Sequence, residues 1–346
     1  MRSFRLILWP VALLATWACT PRAPKTPDWV ASAPGGTVLA ISGQASWIIQ
    51  NREFQTAISR FPYVEQTLDL FLKKARISPA QETGRVTFYL LEMPRIPVQA
   101  KENPPVRDAS KSGEKAVDLQ AQFQSFLIQL GGFKEPQALA SAVADSFPEE
   151  GKLRLGDREY PLHVVLDVNK IHIRTLIDAK GRIWIGDSEA LDTLASRGFL
   201  PSRHMICLAS EWIDGKAPAQ GFLQPQPFMK ELAGKLPSQM ASELPVGVEG
   251  LAWSITPGSG PRPLHQMELV LSGSREGINQ VTPWLQRLVG AVTALQSAPS
   301  QPPEILKEPN RVGLRARFTP EQIASVMSKL NQPIPFFGTT RTPASP

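Results

Sequence analysis

Residues 162–185 constrain the fold of this chain more than any other stretch. They contain three apolar-rich segments separated by two short turns: residues 162–168, 171–177 and 182–185. Apolar and polar residues alternate within the segments, which is the pattern of half-buried strands. We therefore predict a three-stranded antiparallel meander here, built on turns at Asn169-Lys170 and Ala179-Lys180-Gly181.

The two turns predict the register of this meander. The expected pairs are Val168 with Ile171, Leu166 with Ile173, Val164 with Thr175, Leu162 with Ile177, Ile183 with Ile177 and Ile185 with Thr175. These residues form one nearly continuous apolar face. A slip by one residue would expose that face to water, so the register is strongly specified.

The opposite face of the meander contains the candidate surface site. Its residues are His163, Asp167, His172, Arg174 and Trp184, accompanied by Val165 and Leu176. Asp167 would lie opposite His172, and a neighbouring carboxylate can tune a histidine as a general base. Two other interpretations stay open. The face could be a solvated surface of paired charges, or Trp184, Leu176 and Val165 could form an apolar patch covered by another layer or by a partner.

The order of elements outside the meander predicts an α+β protein. Strands are expected at residues 37–41, 85–91, 122–130, 205–209, 250–256, 266–272 and 312–318, and helices at 51–77, 136–147, 228–236, 275–295 and 319–330. This order resembles two tandem βαββαβ units of the ferredoxin-like kind. The resemblance implies antiparallel sheets with helices packed on one face.

Prolines predict the boundaries between these units. The chain has 33 prolines among 346 residues, and they cluster. Proline-rich segments form extended linkers rather than helices. The expected divisions are a signal peptide (1–18), a tether (19–34), a first unit (35–200, including the meander at 162–186), a second unit (201–331) and a disordered tail (332–346).

The N-terminus predicts export. Arg2 and Arg5 precede an apolar run at residues 6–18. A helix of that length spans roughly 20 Å, which is shorter than the ~30 Å hydrocarbon core of a bilayer. A basic start followed by a short apolar run is typical of a cleaved signal.

The end of this run resembles a bacterial lipoprotein signal, because Ala18 immediately precedes Cys19. The resemblance implies that Cys19 is diacylated and becomes the mature N-terminus. Thr20 after the cysteine resembles lipoproteins that reach the outer membrane and face the periplasm. An ordinary secretory signal followed by an incidental cysteine is the alternative.

Charge and motifs argue against several partners and cofactors. Without Arg2 and Arg5 the chain has 35 basic and 31 acidic residues, and it contains no run of five Lys or Arg, so nucleic acid is not expected as a partner. It has two cysteines and four histidines, with no Cys-x-x-Cys or His-x-x-x-His. Neither a metal site nor a nucleotide cofactor is expected.

One segment resembles a catalytic motif. Gly186-Asp187-Ser188 follows a predicted strand and is similar to the nucleophile block of GDSL-type esterases. That resemblance implies Ser188 as nucleophile, but the family's late Asp-x-x-His is missing from this sequence. The alternative is that Asp187 or Ser188 caps the following helix.

These observations favour a lipid-anchored protein of the bacterial cell envelope without catalysis of its own. It would act as a binding or assembly component, attached to the membrane by its lipid and contacting an envelope protein. A small-ligand carrier with a pocket between the two halves is the first alternative, and an esterase using Ser188 is the second.

Overall fold

The computed structural model describes residues 26–50, 62–78, 84–91, 125–168, 171–227, 247–258, 264–295 and 303–319. Within these ranges twelve strands form one sheet. The strands are β1 Leu39–Gln44, β2 Arg85–Leu90, β3 Phe126–Gly131, β4 Glu149–Leu155, β5 Arg158–Val168, β6 Ile171–Ile177, β7 Ile183–Asp187, β8 Ala219–Leu223, β9 Val248–Thr256, β10 His265–Gly273, β11 Glu304–Glu308 and β12 Arg311–Phe318. The helices are α1 Asp28–Ala31, α2 Ala45–Gln50, α3 Pro62–Ala75, α4 Pro136–Ser146, α5 Ser188–Arg197, α6 Arg203–Glu211 and α7 Arg275–Leu295.

The sheet is continuous, and its strand order is β11-β12-β10-β9-β8-β1-β2-β3-β7-β6-β5-β4. Every pairing in it is antiparallel. We call β1 to β7 the first half and β8 to β12 the second half. The two halves meet where β1 pairs with β8, so that no sheet edge separates them.

The prediction of two ferredoxin-like units is therefore wrong. In such a unit a helix carries the chain back across the sheet, and the strands on either side of that helix run parallel. Here Gln44 at the end of β1 lies opposite Arg85 at the start of β2. The connection therefore begins and ends at the same end of this strand pair, as in a hairpin, even though it contains α2 and α3.

Helices cover both faces of the sheet, whereas one covered face was predicted. On the first face, residues of α1, α5 and α6 pack with Ala40, Leu127, Phe222 and Val270. On the second face, α3 and α4 pack over the first half and α7 packs over the second half. Because both faces are covered, side chains at both alternating positions of the central strands are buried.

Several local predictions are confirmed. The helix predicted at residues 275–295 has those ends in the structure. The helix predicted from Pro136 begins there, with the proline in its first turn. The strands predicted at 85–91 and 312–318 agree with β2 and β12 to within one residue at each end. The helix predicted at 228–236 lies outside the described residues, as do residues 320–330 of the helix predicted at 319–330.

The strand predicted at residues 205–209 is wrong, because this segment lies in helix α6. The Ser202 side chain caps the helix by accepting a hydrogen bond from the Met205 N–H at 3.2 Å. Met205, Leu208 and Ala209 are buried on one side of α6. Their i, i+3, i+4 spacing is that of one face of a helix. The short apolar run was interpreted as a strand because this spacing was overlooked.

The meander is confirmed as β5, β6 and β7, but its register changes at a bulge. Val168 pairs with Ile171 and Leu166 with Ile173, as predicted. Beyond the bulge, Val164 lies opposite Arg174 rather than Thr175. One inserted residue moves the side chains that precede it to the other face. As a result Val165 packs in the second-face core, and Leu162 packs against the first-face core.

Residues 28–34 of the predicted tether belong to the folded body. Trp29 and Val30 in α1 are buried in the first-face core, and Pro34 forms a bridge with Phe199. Trp29 and Val30 of this short helix thus cover the first face of the sheet with apolar side chains.

Candidate functional site

Three residues of the predicted surface site lie together at the β5–β6 hairpin. The His172 Nδ1 lies 2.8 Å from the Asp167 Oδ1, and both side chains are nearly half exposed. Arg174 Nη2 contacts Asp167 Oδ2 at 3.2 Å and Glu150 Oε2 at 2.5 Å. Each carboxylate thus has a basic partner, and the arrangement is a network of paired charges across neighbouring strands.

The other two predicted residues are buried elsewhere. His163 is buried, and its Nδ1 lies 3.1 Å from the carbonyl oxygen of Phe147. Trp184 is fully buried in the first-face core, where its Nε1 donates a hydrogen bond to Asp178 Oδ2 at 3.1 Å. Leu176 is buried beside it, so the covered-patch interpretation applies to these two residues, whereas Val165 lies on the opposite face. The five predicted residues do not form one site.

Ser188 and Asp187 have local structural partners. The Ser188 hydroxyl donates to the backbone oxygen of His172 at 3.2 Å. Asp187 caps α5, since its Oδ1 accepts from the Ala190 N–H at 2.8 Å and its Oδ2 from the Phe126 N–H at 2.9 Å. Burial raises the pKa of Asp187 to about 6 despite these bonds. This geometry corresponds to the capping alternative in the sequence analysis.

A row of polar side chains crosses the first face of the sheet, and sequence reasoning missed it. Each member lies opposite the next in the strand register. We call the following residues the polar row: Gln129, Thr87, Ser42, Gln220, Ser254, Glu268, Arg315 and Glu304. The side chains of the first six are buried. A neighbouring row of the same face, from Leu127 through Tyr89 and Ala40 to Phe222, is buried as well.

The signal for this row is weak in the sequence. Its members are spread between residues 42 and 315, and each strand contributes only one of them. The available clue was a single polar residue inside an apolar strand, such as Ser42 in β1 or Gln129 in β3. Only the strand order places these residues side by side.

In the second half, the polar row surrounds a saturated carboxylate. Glu268 Oε2 accepts from the Asp214 N–H and the Ser254 hydroxyl, each at 3.1 Å. Its Oε1 accepts from Arg315 Nε at 2.9 Å and Gln266 Nε2 at 3.2 Å. Four donors therefore compensate the buried charge of Glu268, and the loop after α6 covers it through Asp214.

In the first half, the polar row forms the floor of an open cleft of about 290 Å³. Its lining residues are Asp28, Trp29, Gln44, Arg85, Thr87, Gln129 and the glycines Gly84, Gly131 and Gly132. All nine come from α1 and the first half, so the cleft borders the junction of the halves rather than lying in it. We call it the Arg85 cleft.

Arg85 is the cationic side chain that lines this cleft. Its Nη1 donates to the Ser42 hydroxyl at 3.0 Å and its Nη2 to the Ala217 carbonyl at 3.3 Å. Among the described residues no carboxylate lies within ion-pair distance of the guanidinium. Burial lowers the pKa of Arg85, but a guanidinium remains charged at neutral pH.

The wall of the cleft is held in place by hydrogen bonds to α1. Trp29 Nε1 donates to Gln220 Oε1, and the Tyr89 hydroxyl donates to the Trp29 carbonyl at 2.6 Å. The amide of Gln129 donates to the Ser32 hydroxyl at 3.1 Å. These buried bonds position α1 over the sheet and keep the cleft preformed.

Glycines keep the backbone close at the rim of the cleft. Gly132 has a φ of 76°, which side-chain-bearing residues rarely adopt. A Cβ at this position would come within 3.1 Å of Gly84. The contact between the loop before β2 and the loop after β3 therefore depends on glycine.

The described residues contain no group of three or more His, Cys, Asp or Glu side chains placed to hold a metal ion. None of the helices in the described ranges is long and apolar enough to span a bilayer. Comparisons with protein-family models, with curated proteins and with solved structures found no significant match.

Proposed function

We propose that this chain is an exported, lipid-anchored protein of the bacterial cell envelope that binds a small ligand without transforming it. The observation that carries the proposal is Arg85, a half-buried cation with neutral partners on the floor of an open cleft. The alternative of a ligand carrier is therefore preferred here over a purely structural assembly component.

The energetics of charge burial support this proposal. Removing a cation from water costs free energy unless an anion or enough hydrogen bonds replace the water. Glu268 meets that requirement inside the protein, whereas Arg85 contacts a hydroxyl and a carbonyl. A ligand that supplies an anionic group would recover part of this cost upon binding, which is the thermodynamic condition for affinity.

The geometry of Ser188 supports a non-catalytic role for that residue. Its hydroxyl is donated to a backbone carbonyl, and both oxygens of the neighbouring Asp187 accept backbone N–H groups. A serine nucleophile requires a general base within hydrogen-bond reach of its hydroxyl. The esterase alternative therefore has little support in the surroundings of Ser188.

The proposed anchor would place the cleft near the membrane. Nine residues lead from Cys19 to Asp28, which lines the cleft. A fully extended segment of that length spans about 30 Å at most. A diacylated Cys19 would thus hold the Arg85 cleft within about 30 Å of the lipid attachment point, close to solutes at the membrane surface.

Two measurements on the full chain, extracted from membranes in detergent, test the two parts of this proposal. Mass spectrometry of the N-terminal peptide should find a diacylglyceryl group on Cys19, and an intact Met1 would contradict the anchor. A thermal-shift screen of small metabolites should find compounds that raise the melting temperature, because a ligand that binds only the folded state stabilises it. If no compound raises it, the ligand-binding proposal is wrong.

A further inference from the structure

We infer that the Arg85 cleft takes a small zwitterion of amino-acid size, with its carboxylate on Arg85 and its ammonium group toward Asp28. The inference rests on the proposed binding function and adds the chemical class of the ligand. It is drawn from the charges that line the cleft, their partners and the size of the space between them.

The carboxylate end is assigned from the donors of Arg85. A guanidinium has five N–H donors in a planar fork. In Arg85, Nη1 and Nη2 each donate one hydrogen bond to a described residue. The fork matches the two oxygens of a carboxylate or phosphate in a bidentate contact. The same cleft also presents the amide of Gln44 at its exposed rim, which suits a polar ligand.

The ammonium end is assigned from Asp28. Asp28 is a lining residue of the same cleft and is exposed. Burial lowers the pKa of Arg85, and the negative charge of Asp28 opposes that lowering in part. A negative charge in the lining of the same cleft disfavours a multiply charged anion such as phosphate, since like charges repel in a partly desolvated site. A ligand with one negative and one positive group satisfies both side chains.

The volume limits the size of the ligand. The cleft of about 290 Å³ lies at the lower end of the range for small-molecule sites. Its floor is formed by Thr87 and Gln129, and one wall by Trp29 in α1. A free amino acid or a comparably small zwitterion fits this space, whereas a nucleotide would extend well beyond it.

The test is isothermal titration of the full chain in detergent with defined probes. Glycine, L-valine and L-phenylalanine sample zwitterions of increasing size, while acetate, methylammonium and inorganic phosphate each present a single type of charge. We expect at least one of the zwitterions to bind, and to bind more tightly than acetate, methylammonium or phosphate. Tighter binding of phosphate than of every zwitterion would overturn the inference.

Two variants of Arg85 and a matched control identify the site. Arg85→Gln should weaken binding of the zwitterion by about 10- to 100-fold, and Arg85→Lys by about tenfold, because a lysine keeps the charge and loses the fork. Arg315→Gln is the control, since Arg315 is another arginine on the first face of the sheet but pairs with Glu268 and Glu304 outside the cleft. Equal affinities in Arg85→Gln, Arg315→Gln and the unaltered chain would overturn the assignment.

Asp28→Asn tests the other end of the ligand. The variant should weaken binding of the zwitterion, because it removes the partner of the ammonium group. Binding of acetate should be unchanged or slightly tighter, because the variant also removes a charge that repels an anion. If the metabolite screen finds ligands but none is a zwitterion, the ligand class is wrong and the binding function stands. If neither the screen nor the titrations detect binding, both proposals fail.

Discussion

The charged side chains on the first face of the sheet have opposite surroundings in the two halves of the molecule. In the second half, Glu268 has four donors and lies under the loop that contains Asp214. In the first half, Arg85 lies two residues from the row member Thr87, contacts two neutral oxygens and borders an open cleft. The same face of one sheet therefore has a closed polar site and an open one.

The segment that covers each half therefore determines whether polar side chains on this face are closed off or accessible to a ligand. Over the second half, the loop after α6 supplies a backbone donor to the carboxylate, which completes its hydrogen bonding. Over the first half, α1 is held by Trp29 and leaves space beside Arg85. We interpret the closed site as structural and the open site as the binding site.

The largest change in stability is expected from a substitution that disrupts the closed site. Glu268→Leu should lower the free energy of unfolding by about 3–5 kcal/mol, because the Asp214 N–H and the Ser254 hydroxyl would lose their buried acceptor and Arg315 its partner. Urea denaturation followed by circular dichroism measures the change. A loss below about 1 kcal/mol would show that the four bonds contribute little.

A smaller effect is expected at Asp187, the carboxylate that caps α5. The pKa of Asp187 is raised from 3.8 to about 6, so between these values the folded state holds a proton that the unfolded state releases. The resulting stabilisation is complete below about pH 4 and is lost as the pH rises through 6, by about 2 kcal/mol after allowance for partial exposure.

Asp187→Asn removes this titration and retains a good N-cap residue. The measurement is urea denaturation of the unaltered chain and the variant at pH 4, 5, 6 and 7. We expect the difference in stability between them to change across that interval in favour of the variant as the pH rises. Parallel curves would contradict the assignment to Asp187.

A still smaller change in stability is expected at the open site. Arg85→Gln should alter the free energy of unfolding by about 1 kcal/mol or less, because the cation has no acidic partner among the described residues to lose. The same variant should reduce the stabilisation produced by a given concentration of ligand, because it raises the dissociation constant. Thermal denaturation with and without ligand separates the two effects. A loss comparable to that of Glu268→Leu would mean that the two sites do not differ as proposed.

The smallest effect is expected at Ser188. Ser188→Ala removes one exposed bond to the His172 carbonyl and should change stability by less than about 0.5 kcal/mol. Hydrolysis of p-nitrophenyl acetate by the full chain should be the same for the variant and the unaltered protein. Loss of a measurable esterase rate in Ser188→Ala would restore the catalytic alternative.

Part of the candidate site could have been anticipated from the sequence, and part could not. The Asp167–His172 contact was predicted correctly because it lies close to the two-residue connection between β5 and β6, and so short a connection sets the register locally. His163 was placed wrongly because the bulge between Val164 and Leu166 lies between it and that turn. The polar row was missed because its members are adjacent only after distant strands pair.

Most of the local elements could be predicted from short stretches of the sequence. Alternation defined β2, β12 and the meander, while the apolar stripe of α7 and the position of Pro136 defined helix ends, because these patterns depend on contacts between near neighbours. Other features follow only from the tertiary structure: the pairing of β1 with β8 and the different surroundings of Arg85 and Glu268. Strand order and the covering of a face depend on interactions between residues that are far apart in the chain. A local sequence pattern does not reveal which of these distant interactions gives the lowest free energy.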